Sequence, residues 1–201
     1  MKVGEIAQKC GAAPFQGRRR MIALVGGPAS GKSTLAGELE TLLPHACVVP
    51  MDGFHLDNAV LDAQGSRDRK GAPHTFDAAG FVHLMDRIKR EESVAFPKFD
   101  RTLDKSIAGA DVLEADTETV IVEGNYLLLD QPIWRDLSRV WDVSVALNVP
   151  RDVLEARLVA RWESYGYSRD AAVAKAQLND LPNADYVRAY SRAADFVVDH
   201  F

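Results

Sequence analysis

Cysteine is scarce in this chain, with Cys10 and Cys47 the two among 201 residues. Two cysteines build no disulfide framework, so the fold must rest on its core, and a reducing cytoplasm is the expected setting. Long apolar runs are missing as well. None approaches the roughly 20 residues that span a bilayer, so no membrane partner is expected. Excess positive charge is absent too. Lys and Arg number 24 against 29 Asp and Glu, a net charge of −5, which gives no reason to expect nucleic acid. Met1–Cys10 is charged throughout and offers no signal-peptide core. No repeat or low-complexity tract interrupts the chain. What is present is a 47% hydrophobic composition, enough for one globular domain with a sizeable core.

Five short runs are nearly continuous in apolar residues: Met21–Gly26, Ala46–Met51, Thr119–Glu123, Val143–Val149 and Ala194–Asp199. Such runs read as strands of a parallel sheet covered on both faces. Helical spacing appears between them, at Ser33–Leu43, Asp77–Arg90, Arg151–Trp162 and Ser168–Asn179. Asp77 and Ser168 are suitable N-caps, and Pro150 suits the start of the third helix. Strands alternating with helices indicate an α/β layered sheet. Leu61–Thr75 and Val94–Glu114 break the rhythm and read as excursions from the sheet. Loops at the carboxyl ends of parallel strands are where ligands bind.

Gly26, Gly27, Pro28, Ala29, Ser30, Gly31, Lys32 and Ser33 fit G-x-x-x-x-G-K-[ST], followed by Thr34. A strand before and a helix after complete the phosphate-binding P-loop. Glycine lets the backbone curl so that N–H groups converge on one anion, and the helix aims its positive end at the same point. Lys32 can reach the β- and γ-phosphates, and the Ser33 hydroxyl can ligate Mg²⁺. Pro28 removes one donor from the loop.

A P-loop names a nucleotide, not a reaction. The second strand ends in Met51-Asp52-Gly53-Phe54-His55. Asp52 there can take a proton from an attacking hydroxyl or hold Mg²⁺ through water, or simply form an Asp-Gly turn. Thr119–Glu123 is an apolar strand ending in a carboxylate, the layout of the acid that supports Mg²⁺, with Gly124 allowing close backbone approach. Arg157 and Arg161, four apart, share a helix face. They suit phosphate, or pair with Glu155 or Glu163 on a solvated face. His55 and His74 are candidates for an acceptor pocket or plain structure. Phe99 and Arg101 can pack on and charge-pair with an acceptor, or serve the core and the surface. Trp134, Trp141 and Trp162 read as packing.

Gly26–Thr34, Met51–Leu56, Arg69–Asp77, Phe96–Arg101 and Val122–Tyr126 follow one another in an order seen elsewhere. The chain resembles the superfamily of uridine kinases, type I pantothenate kinases and phosphoribulokinases, and within it bacterial proteins labelled fructose-transport-system kinases. The resemblance runs from about Met21 to the C-terminus. It implies a three-layer P-loop fold, a five-stranded parallel sheet flanked by helices with a helical lid. It also implies transfer of the ATP γ-phosphoryl group to a small-molecule hydroxyl, possible sugars included, with ATP and Mg²⁺ as cofactors; a homodimer is compatible with it. By motif position Asp52 matches the catalytic carboxylate and Lys32 the P-loop lysine. Ser33 and Glu123 match the residues around Mg²⁺, partly through water, and Arg157 and Arg161 the lid arginines. His55, Arg69, His74, Phe99 and Arg101 fall in the stretches expected to meet the acceptor. Residues 1–201 then form one domain, with an N-terminal extension (1–20), acceptor-binding excursions (53–114) and a lid region (151–180). Two departures bear on the acceptor. The acidic residue that holds ribose in uridine kinases, near Gly71 or Ala72, is missing. Pro97-Lys98-Phe99-Asp100-Arg101 also differs from the Pro-x-Tyr segment of pantothenate kinase. A nucleoside or pantothenate-like acceptor is the alternative within the kinase reading, and the rival classes are a regulatory P-loop ATPase without a small acceptor and a nucleotide-binding module that no longer catalyses.

Overall fold

The computed structural model describes residues 1–199. In chain order its elements are α1 (Val3–Ala12), β1 (Arg20–Val25), α2 (Lys32–Leu42), β2 (Ala46–Pro50), α3 (Asn58–Ala63), α4 (Ala78–Arg90), β3 (Val94–Asp100), β4 (Lys105–Leu113), β5 (Thr119–Gly124), β6 (Val143–Asn148), α5 (Arg151–Ser164), α6 (Arg169–Lys175), α7 (Leu181–Tyr190) and β7 (Phe196–Asp199).

The apolar runs become a five-stranded sheet in the order β2-β5-β1-β6-β7, every neighbouring pair parallel. Alternate residues of β1 separate its two covered faces. Ile22 and Leu24 join Ile6 and Cys10 of α1 and Leu35 and Leu39 of α2. Met21, Ala23 and Val25 join Phe81, Leu84, Met85 and Ile88 of α4. Three layers result, as the continuous apolar strands predict. Cys47 is only half-buried, because β2 is an edge strand.

Two elements differ from the sequence expectation. The N-terminal extension contains α1, whose Ile6, Ala7 and Cys10 are buried against α2. The fourth expected helix does not stop at Asn179. After α6, capped by Ser168, the chain makes one π turn (Ala176–Asp180) and continues as α7 to Tyr190. Pro182 follows the π turn, at the beginning of α7. The excursions resolve into α3 with short 3₁₀ turns, and an antiparallel β3–β4 hairpin. Among the described residues no helix is long and apolar enough to cross a membrane.

Candidate active site

The P-loop links β1 to α2 with two residues in the left-handed region, Ala29 (φ 61°) and Gly31 (φ 95°). Such reversals curl the chain into an anion-binding concavity, and α2 begins at Lys32 directly behind it. Gly27 is required by packing: a Cβ there would lie 2.9 Å from Ala184 Cβ of α7. Lys32 is buried, and its Nζ donates to the Gly27 carbonyl at 2.9 Å. Burial holds its pKa below the ordinary lysine value, against the opposing charges of Glu123 and Asp52. Ser30 Oγ is buried without a hydrogen-bond partner.

The sheet brings two carboxylates to this cradle. β5 lies between β1 and β2, with Glu123 in register with Leu24 on one side and Pro50 on the other. Gly124 makes that approach feasible, since a Cβ there would lie 2.6 Å from Met51 Cβ. Ser33 Oγ donates to Glu123 Oε1 at 3.0 Å. Burial raises the Glu123 pKa above the usual carboxylate range, with Lys32 opposing. A hydroxyl and a carboxylate are hard oxygen donors, the kind Mg²⁺ takes while phosphate and water complete its shell. Among the described residues no group of three or more His, Cys, Asp or Glu forms a metal cage. The Ser33 hydroxyl and the Glu123 carboxylate are donors that fit Mg²⁺ and would hold it.

Asp52 follows β2 in a 3₁₀ turn, Met51–Phe54. Gly53 lets the hairpin press on that turn, as a Cβ there would lie 2.2 Å from the Pro97 carbonyl oxygen. Arg101, at the end of the hairpin's first strand, donates to Asp52 Oδ2 at 3.0 Å. His55 stacks on Phe76 (ring centroids 4.1 Å apart) and tilts against Phe99 (4.8 Å). Burial pulls its pKa down to about 4, so it is neutral at pH 7, and its Nε2 stands 3.9 Å from Asp52 Oδ1. Lys70 Nζ donates to Asn58 Oδ1, Asp104 Oδ1 and the Asp104 carbonyl and lies over the Phe99 ring.

P-loop, carboxylates and this aromatic wall share one open cleft of about 1480 Å³, which Arg157 and Arg161 of α5 also line. Arg157 Nη1 donates to the Ala29 and Ser30 carbonyls at 3.4 Å. Arg161 Nη2 donates to Asp180 Oδ1 at 3.4 Å, and Trp162 Nε1 to Asp180 Oδ2 at 2.7 Å. Asp180 is buried, and burial holds its carboxyl above the usual range despite Trp162 and Arg161. A second cavity of about 320 Å³ adjoins the P-loop, lined by Gly26, Gly27, Leu147, Leu154, Ala184 and Val187, and shares Ser30 with the first.

The cleft thus gathers Pro28 to Thr34, Asp52, His55, Phe99, Arg101, Glu123, Arg157 and Arg161. Arg69 and His74 do not line it. The Pro73–Thr75 turn buries Thr75, which receives the Gly71 N–H and donates to the Ala72 carbonyl, and so leaves His74 exposed. Arg69 is exposed and reaches the Leu178 carbonyl at 3.4 Å. Their chain neighbours Lys70 and Phe76 form the wall instead. Trp162 is more than packing, since its indole holds Asp180. Asp104, Asn58 and Asp180 carry no sequence signal of their own. They matter through partners distant in the chain.

No protein-family model matches the chain. YggC, an uncharacterised protein of Escherichia coli K12, is 37% identical over 188 residues, 90% of this chain and 78% of its own. A Schizosaccharomyces pombe protein provisionally named a uridine kinase is 33% identical over 196 residues, 90% of this chain and 83% of its own. A crystal structure from Silicibacter sp. TM1040, provisionally described as a fructose transport system kinase, is 48% identical. It superposes with a TM-score of 0.94, covering 98% of this chain and 99% of that one.

Proposed function

The chain belongs to the P-loop kinases of the uridine kinase and pantothenate kinase type, and from that premise we propose that it transfers the γ-phosphoryl group of ATP to a hydroxyl of a small molecule. A sugar such as fructose is the first acceptor to test, because a structural neighbour carries that description. The observation that carries the reading is Asp52 in the same cleft as Lys32, with Glu123 on the strand between them.

The P-loop amides and Lys32 hold the β- and γ-phosphates. The apolar cavity beside Gly26 and Gly27 suits the adenine ring. Ser33 and Glu123 would hold Mg²⁺, and the ion would supply charge neutralisation at the phosphate oxygens. Asp52 accepts the proton of the acceptor hydroxyl as its oxygen bonds to phosphorus and the bond to ADP breaks. Arg101 now occupies Asp52, so the acceptor must share or displace that guanidinium. Lys32, Arg157 and Arg161 neutralise charge on the loose transition state. His55, neutral and stacked, gives the acceptor an uncharged aromatic wall with Phe76 and Phe99.

ADP release with a panel of sugars, nucleosides and pantothenate-like alcohols tests the reading. Stimulation by one class of alcohol is the expected result. Acceptor-independent hydrolysis points instead to a regulatory ATPase, and absence of any turnover to a binding module.

A further inference from the structure

We propose that Asp180 is the positioning residue for Arg161: its buried carboxylate, locked by the Trp162 indole, fixes the Arg161 guanidinium toward the phosphate cleft. The inference rests on the reading of Arg161 as a lid arginine given above.

The two oxygens of Asp180 have separate duties. Oδ2 takes the indole N–H of Trp162 at 2.7 Å, and Oδ1 takes one Nη2–H of Arg161 at 3.4 Å. The short indole bond sets the plane of the carboxylate, and the second oxygen then meets the arginine. Arg161 lines the cleft with the P-loop, and its charge is among those acting on Lys32. As a stability device this pair is poor. Burying a carboxylate is costly, and a single long bond to an arginine recovers little of it. What the arrangement supplies is orientation: Arg161 Nε is buried without a partner, and the remaining Nη donors are left for a ligand.

Asp180 is the last residue of a π turn. Each residue of an ordinary helix advances about 100°. The one-residue insertion of a π turn rotates everything after it by that amount, and such turns cluster at functional sites. Here the turn spans Ala176–Asp180. Its register is fixed by the neighbouring Asn179, whose side chain donates to the Lys70 carbonyl at 2.8 Å. Adjacent residues of one turn therefore hold the acceptor loop and the lid arginine.

The test needs no known acceptor. ADP with aluminium fluoride mimics the transferring phosphoryl group, and calorimetry compares its affinity with that of ADP alone, both with Mg²⁺. R161A and D180N should each weaken the mimic about 10- to 100-fold, while ADP alone stays within about twofold of wild type. The double variant should be no worse than R161A, because both changes remove one interaction. Full affinity for the mimic in D180N beside a loss in R161A overturns the inference and leaves the kinase reading standing. Losses that add in the double variant also overturn it. Unchanged mimic affinity in R161A defeats the reading of Arg161, and this inference with it. Should D180N fail to fold, W162F takes its place, with a smaller loss of the mimic expected that vanishes in the R161A background; an unaltered W162F counts against the assignment.

Discussion

A histidine clamped between two phenylalanine rings resists protonation. His55 titrates near 6.5 when unfolded and near 4 in the folded chain, chiefly through burial. Its folded pKa is depressed, so below pH 6.5 the unfolded chain takes the proton first. Native stability is complete above 6.5 and falls as the pH drops toward 4. At pH 5 the loss from this one group is about 2 kcal/mol. Urea unfolding of wild type and H55N at pH 7.5 and pH 5 should show wild type losing about that much more than the variant. Equal losses would place the histidine elsewhere than between Phe76 and Phe99. At this scale the phosphate side of the cleft was legible: Lys32, Ser33, Asp52 and Glu123 sit at strand ends and in a spaced motif. The opposite wall was legible only in part: His55, Phe99 and Arg101 line the cleft, but Lys70 and Phe76 do so in place of Arg69 and His74. Lys70 is satisfied by Asn58 and by Asp104, 34 residues away, and no local pattern reports such a pairing.

Among the elements, the ends of α4, β3 and β4 are tied to β1 by one side chain. Arg19 is fully buried. Its guanidinium donates to the carbonyls of Ile88, Glu91, Glu92, Glu114 and Thr117. A lysine has three donors on a point charge and cannot reproduce that fork. R19K leaves buried carbonyls unpaired and should cost about 3 kcal/mol of stability, with ADP affinity unchanged because the tie lies at the opposite end of β1 from the P-loop. Denaturant unfolding and calorimetry measure the two; undiminished stability would deny Arg19 this role. Arg19 stands in an Arg18-Arg19-Arg20 run, and only tertiary structure reveals which of the three turns inward. The strands were readable because burial on both faces demands continuous apolar residues. The end of the fourth helix was not, because the π turn breaks the 3.6-residue period that sequence patterns rely on.

In the whole molecule, function follows from strand order. With β5 inserted between β2 and β1, the carboxyl ends of three strands present Asp52, Glu123 and the P-loop in sequence along one cleft. The hairpin closes that cleft from one side with Arg101, and α5 to α7 close it from the other with Arg157, Arg161 and Asp180. The motif residues thus stand at the strand ends, and the rest of the cleft lining comes from the excursions and from α5 to α7. The central claim is that Asp52 activates the attacking alcohol. Acceptor-stimulated ADP release by D52N, read beside its ATP dissociation constant, tests this directly. The account predicts a fall of about 100-fold or more in release with ATP binding within about twofold of wild type. Near-normal release from D52N would contradict it.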